Sequence, residues 1–136
     1  MGVWSHEPFG NDTACDWSHE LLESTDLAPI ESALDAVLNA VDQYLDADLA
    51  SEAIAAAEVL AKLLGQGTQT DSYTKDIDQW IIANPLYPNK ILLEKGKQSL
   101  ERIASPESEL LELWEDSGNT DAWMASLKKL TAAIGA

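Results

Sequence analysis

The sequence predicts an all-α protein, a single compact and irregular bundle of six or seven helices over residues 1–136. Apolar residues recur with the 3.6-residue period of a helix almost everywhere after residue 11. No run of four or more residues shows the strict alternation of apolar and polar residues that is typical of a half-buried strand. With 136 residues, of which 46% are hydrophobic, the chain can bury a core without a metal ion or a disulfide.

The first half of the chain predicts three helices, each bounded by residues that favour helix ends. Asn11 or Asp12 can accept hydrogen bonds from the free amides of the first helix, and Asp48 can do the same for the third. Gly65 readily takes the left-handed conformation that ends a helix. The three predicted helices cover residues 12–23, 29–46 and 49–64.

The second half predicts a loop and then four more helices. Residues 65–72 are rich in Gly, Thr and Gln and have no apolar period, which indicates a loop. Pro85 ends the helix that follows, because proline disfavours helical backbone at the residue before it. The four helices are expected over residues 74–83, over residues 89–104 with Asn89 as cap, from Ser105-Pro106 to a stop at Gly118, and from Thr120 onward.

An extended aromatic tail, residues 1–10, precedes the first helix. Trp4 and Phe9 are too apolar to remain in water, so we expect them to dock into a groove of the bundle. Asp16 on the first helix is placed to accept hydrogen bonds from the backbone amides of the tail. The predicted anchors of the tail are Trp4, Pro8, Phe9, Asn11 and Asp12.

Two stretches of the sequence share a pattern with a known protein family. The first is Gly2-x-Trp4-x-x-x-Pro8-Phe9-x-Asn11-Asp12-x-Ala14-x-Asp16-Trp17, and the second is Ser108-Glu109-Leu110-Leu111-Glu112-Leu113-Trp114, followed by Trp123 on the last helix. On these residues the chain resembles domain of unknown function 4259, an uncharacterised bacterial family. The resemblance implies a small bacterial protein, and it implies no activity, cofactor or catalytic residue.

The net charge restricts the possible partners. The formal net charge is −16, from 24 acidic and 8 basic residues. Residues 1–61 contain thirteen acidic residues and no Lys or Arg, whereas residues 62–136 contain eleven acidic and eight basic residues. Phosphate groups and anionic membranes bind Lys and Arg. The composition therefore excludes nucleic acid as a direct partner and disfavours an anionic membrane surface.

A row of acidic residues is expected along the second helix, beside its apolar face, with no basic residue of that helix to offset it. Such a surface can attract and bind a basic protein, as inhibitors and immunity proteins of nucleases do. The leading hypothesis is therefore a non-enzymatic interaction protein. The alternative is a scaffold whose acidity only keeps it soluble. The row consists of Glu31, Asp35, Asp42 and Asp46.

A metal site on the first helix is a further alternative. Asp16 and His19 are three residues apart, and His19 and Glu23 are four apart, spacings at which two side chains of one helix can reach the same ion. These residues lie on the polar face of the helix, however, whereas metal sites of helical bundles project into the core. A solvated acidic face is therefore the competing interpretation, and we expect no cofactor.

Catalytic and export signals are missing from the sequence. There is no GxSxG motif, phosphate-binding glycine loop or dinucleotide fingerprint. Cys15 is the single cysteine, which excludes an intrachain disulfide and indicates a reducing compartment. The N-terminus lacks the basic and apolar regions of a signal peptide, and no stretch is apolar enough to span a membrane. The sequence therefore favours a soluble, non-enzymatic protein of the cytoplasm.

Overall fold

The structure, a computed structural model, describes residues 5–40 and 43–135. These residues form seven α-helices and no strand, which confirms the predicted all-α bundle. One hydrophobic core contains residues from all seven helices. The helices are α1 (Asp12–Leu22), α2 (Ala28–Leu38), α3 (Ala47–Leu63), α4 (Lys75–Ala83), α5 (Lys90–Ile103), α6 (Glu109–Ser117) and α7 (Thr120–Gly135).

The helix α3 is the centre of the bundle and packs against all six other helices. Residues 53–61 are all buried, and five of these nine are alanines, whose small side chains let neighbouring helices approach closely. Gly96 of α5 serves the same purpose, because a Cβ there would lie 2.9 Å from Ile134 Cδ1 and 3.2 Å from Leu60 Cδ1. None of the described helices has the length and apolar character needed to cross a membrane.

Several predicted helix ends are confirmed. Asn11 caps α1, because its Oδ1 accepts a hydrogen bond of 2.7 Å from the amide three residues later, while Asp12 is exposed in the first turn. Asn89 caps α5 in the same way, at 2.8 Å. Gly65, with φ 78°, and Gly118, with φ 80°, lie in the left-handed region immediately after α3 and α6.

The predicted second helix is too long, because α2 ends at Leu38 rather than at residue 46. Asp46 has extended backbone angles and caps α3, with its Oδ1 accepting from the amides of Asp48 (2.7 Å) and Leu49 (3.4 Å). The predicted cap, Asp48, lies inside the first turn of α3. An aspartate is more stable at a helix N-terminus, where it meets free amides, than inside a helix that offers it no basic neighbour.

Leu45 is buried, but in a link to the segment before α6 rather than in α2. Its amide donates to the Glu107 carbonyl (2.7 Å) and its carbonyl accepts from the Glu109 amide (2.9 Å). The guanidinium of Arg102 bridges the same two segments by donating to the carbonyls of Gln43 (2.8 Å) and Glu107 (3.1 Å). Backbone hydrogen bonds with Glu107 and Glu109 therefore replace those of the predicted helix.

The start of α6 is also later than predicted. The helix begins at Glu109, with Ser108 as its cap, since the Ser108 hydroxyl accepts from the Leu111 amide (3.4 Å). The predicted start at Ser105 is wrong. Glu107 has φ 68°, a left-handed conformation that no right-handed helix can include.

The N-terminal segment packs onto the bundle through Phe9. Phe9 has no solvent exposure and Pro8 is buried, whereas Trp4 lies outside the described residues. The amide of Phe9 donates to Gln69 Oε1 (2.8 Å) in the loop after α3. It does not donate to Asp16, which is exposed. The loop, rather than Asp16 of the first helix, therefore supplies the acceptor of the Phe9 amide.

Candidate functional site

An open cleft with a volume of about 480 Å³ lies between α1, α2 and α3. Among its lining residues, Trp17 and Ala33 are buried, while Glu20 and Glu23 are exposed to solvent. Glu52 of α3 lines the cleft as well and is partly exposed. The cleft therefore combines an apolar interior with three carboxylates.

The cleft exists because α2 presents small side chains toward α1. Ala28, Ser32 and Ala36 recur every four residues and so lie along one row of the helix surface, where they line the cleft. No large side chain in this row fills the space between α1 and α3. Trp17 and Glu20, one turn apart on α1, form the opposite side.

The carboxylates of the cleft give it a negative electrostatic potential. Its lining includes three Glu residues and, among the described residues, no Lys or Arg. Burial raises the pKa of Glu52, and the neighbouring carboxylates of Glu20, Asp48 and Asp46 raise it further. A cation that entered the cleft would relieve this repulsion. The arrangement can thus bind a positively charged group.

Replacing Glu52 with Gln should increase stability at pH 7. The folded state raises the pKa of Glu52, so ionisation of this residue destabilises the fold, and stability falls as the pH rises through that pKa. We expect a gain of a few tenths of a kcal/mol at pH 7, which disappears below about pH 4, where the wild-type residue is protonated. Urea unfolding at both pH values tests this.

The exposed acid Glu101 provides the control, because its replacement by Gln removes the same charge away from the cleft. A gain of equal size in Glu101→Gln would show that the effect comes from net charge and not from the surroundings of Glu52.

The four acidic residues proposed from sequence do not form one row. Glu31 and Asp35 both lie on α2, but they bind Lys95 of α5, whose Nζ is 2.9 Å from Glu31 Oε2 and 3.0 Å from Asp35 Oδ1. These hydrogen bonds raise the pKa of Lys95. Asp46 caps α3, and Asp42 lies outside the described residues. The row is thus interrupted and partly neutralised, and the cleft is a separate surface.

The three residues of the alternative metal site, Asp16, His19 and Glu23, are all exposed on or just after α1. Within residues 5–40 and 43–135, no three His, Cys, Asp or Glu side chains lie close enough to hold a metal ion. One helix face cannot surround an ion, and in the described part of the chain no neighbouring helix completes a ligand set with these residues.

A second polar site, the Glu58 cluster (Glu58, Lys62, Thr68, Gln69 and Asp78), lies under the loop after α3. The Glu58 carboxylate is fully buried and accepts three hydrogen bonds, from the amide (2.8 Å) and hydroxyl (2.7 Å) of Thr68 and from the amide of Gln69 (2.9 Å). Lys62 Nζ lies 3.9 Å from Glu58 and 2.7 Å from Asp78, and it donates to the Gln69 carbonyl.

The Glu58 cluster organises the loop after α3 through hydrogen bonds to Thr68 and Gln69. Burial raises the pKa of Glu58, and the hydrogen bonds from Thr68 and Gln69 lower it by a smaller amount. Among the described residues, every buried side-chain nitrogen and oxygen has a hydrogen-bond partner. Gly67 allows the close fit, because a Cβ there would lie 2.7 Å from Lys62 Cγ.

Sequence reasoning missed both Glu52 and the Glu58 cluster. Glu58 and Lys62 did carry a signal, since they are an oppositely charged pair four residues apart inside the most apolar stretch of the chain. Glu52 carried none. It lines the cleft because α3 packs against α1, and this packing cannot be predicted from a local sequence pattern.

Comparison with known proteins identifies one family. A family model described as a domain of unknown function (DUF4259) matches residues 2–126. No curated protein matches the chain, and no solved structure matches it.

Proposed function

The chain belongs to the DUF4259 family, and we propose that it binds a basic protein by receiving a Lys or Arg side chain of that partner in the acidic cleft. The observation that carries this proposal is the cleft itself, which three carboxylates line without a basic residue among the described lining. The single thiol, Cys15, is consistent with a reducing compartment. We therefore place the interaction in the bacterial cytoplasm.

The shape of the cleft suits a long cationic side chain. Lys and Arg pair an apolar stem with a charged end. The buried Trp17 and Ala33 can contact the stem, while the exposed Glu20 and Glu23 can accept hydrogen bonds from the charged group. A hydrogen bond between two charged groups is stronger than one between neutral groups.

The charge of the surrounding surface supports the same proposal. The cleft belongs to the first 61 residues, which contain thirteen acids and no Lys or Arg. A surface potential of one sign accelerates encounter with a partner of the opposite sign and repels acidic proteins. Glu31 and Asp35 contribute less to this potential, because Lys95 compensates them.

Capture from a lysate of the source organism tests the proposal. The wild-type chain is immobilised at low salt, and retained proteins are identified by mass spectrometry. We expect a basic protein that moderate salt releases, since screening weakens charge attraction at an open surface. Neutralising the cleft should weaken its retention by about tenfold or more. The cleft variant carries Glu20→Gln, Glu23→Gln and Glu52→Gln.

A matched variant separates the cleft from net charge. It removes the same number of charges from exposed acids of the second half, by Glu101→Gln, Glu115→Gln and Asp116→Asn. This variant should retain the partner as the wild type does. If the two variants behave alike, or if nothing basic is retained, the acidity serves solubility and the proposal is wrong.

A further inference from the structure

Gln69 joins two segments that are 60 residues apart in the chain. Its side chain is 4% exposed and uses both ends of its amide. Oε1 accepts from the Phe9 amide (2.8 Å), and Nε2 donates to Asp71 Oδ2 (3.0 Å). Its backbone amide donates to Glu58 and its carbonyl accepts from Lys62. One residue therefore bonds the N-terminal segment, the loop and α3.

The N-terminal segment covers an aromatic surface. Residues 5–8 lie over Ile54, Leu110, Trp114 and Trp123, and only about 10 Å³ of space remains between them. The rings of Trp114 and Trp123 are stacked, with centroids 6.3 Å apart. If residues 5–10 moved away, this apolar surface would be exposed to solvent.

We infer that Gln69 is a latch that couples the N-terminal segment to the loop, so that residues 5–10 and 66–71 open and close together and thereby cover or uncover the aromatic surface. The coupling follows from the burial of Gln69. If residues 5–10 left alone, Oε1 of Gln69 would lose its donor, the Phe9 amide. If the loop left alone, the buried Phe9 amide would lose its acceptor. Both states are unfavourable, which favours joint opening.

The two segments are suited to open before the bundle unfolds. Neither contains a helix, and apart from Phe9 and its neighbours they are held by a few hydrogen bonds to side chains. Segments of this kind open locally at a lower free energy than packed helices. The latch is independent of the proposed cleft, which none of these residues lines.

Cys15 provides a reporter of the opening. It is the single cysteine of the chain, it is half-buried, and its thiol donates to the Phe9 carbonyl (3.7 Å). Burial, followed by the carboxylates of Asp12, Asp16 and Asp71, raises its pKa. Departure of Phe9 would remove this contact and expose the thiol, so its rate of reaction with Ellman's reagent measures the open population.

The test compares Gln69→Ala with Gln66→Ala, which alters an exposed glutamine of the same loop. We expect Gln69→Ala to accelerate Cys15 modification roughly tenfold, the factor for one lost hydrogen bond of ordinary strength. Amide hydrogen exchange should increase in both segments, because residues 5–10 lose the acceptor of the Phe9 amide and residues 66–71 lose the bond to Asp71. Gln66→Ala should leave both unchanged. Faster exchange in only one segment, or an unchanged Cys15 rate, would overturn the inference.

Hydrogen exchange in the wild-type chain tests the same inference if Gln69→Ala fails to fold. The amides of Phe9 and Gln69 should exchange with the same opening free energy and the same dependence on denaturant, because one event exposes both. Two distinct opening free energies would show that the segments move separately.

Discussion

Replacing Phe9 with alanine is expected to lower the free energy of unfolding by about 3–5 kcal/mol. Phe9 is fully buried in the core shared by all seven helices. The substitution removes the transfer free energy of an aromatic ring and leaves a cavity that packed helices fill only in part. For a chain of this size the midpoint of thermal unfolding should fall by about 10 °C or more.

Urea unfolding followed by tryptophan fluorescence measures the change. His6 lies three residues earlier and is exposed, so His6→Ala serves as the matched control and should change the stability by less than about 0.5 kcal/mol. A loss below about 1 kcal/mol in Phe9→Ala would mean that the N-terminal segment is not part of the core.

Replacing Glu58 with alanine should have an effect of similar size, a loss of about 3–5 kcal/mol. The substitution removes the acceptor of three hydrogen bonds from Thr68 and Gln69. Buried donors left without a partner cost more than the net value of the bonds they made. Lys62 would lose the nearby Glu58 carboxylate and keep its ion pair with Asp78.

The variant Glu58→Gln separates shape and hydrogen bonding from charge. Its amide oxygen can accept from the amides of Thr68 and Gln69, and its nitrogen can donate to the Thr68 hydroxyl, which is free to rotate. We therefore expect Glu58→Gln to lose less than about 1.5 kcal/mol. Equal losses in the alanine and glutamine variants would contradict the role given to these hydrogen bonds.

The pH dependence of the same pair has a defined sign. The folded state raises the pKa of Glu58, mainly through burial, so the wild type gains stability as the pH falls toward that pKa and loses it as the pH rises. Gln does not titrate. The stability of the wild type relative to Glu58→Gln should therefore increase as the pH is lowered from 7 to about 4. A change in the opposite direction would show that the hydrogen bonds outweigh the cost of burial.

The acidic residues predicted to form one helical row lie on separate elements, because α2 ends at Leu38 and Asp46 caps α3. The apolar period continues through Leu45 and so predicts one helix that carries Glu31, Asp35, Asp42 and Asp46 in a row. Leu45 does lie in the core, but its backbone binds Glu107 and Glu109 instead of α2. A buried residue at the right period is thus no proof of a continuous helix when a distant segment can satisfy its backbone.

Helix class and most helix ends were predictable because they depend on interactions within one turn. Asn11 and Asn89 cap the helices that follow them, and Gly65 and Gly118 end helices through their own backbone freedom. Each of these signals lies within four residues of the feature it determines. The charge imbalance was equally readable, because it is a sum over the chain.

The surfaces depended on packing between distant segments. Glu52 joins the cleft because α3 crosses α1, Lys95 reaches Glu31 because α5 lies beside α2, and Gln69 meets Phe9 because the loop folds back over α3. Glu52 is 32 residues from Glu20 on α1, Gln69 is 60 residues from Phe9, and Lys95 is 64 residues from Glu31. Helix propensity depends on residues close together in the sequence and does not predict such pairs. These contacts form only when the helices pack together and bury their apolar faces.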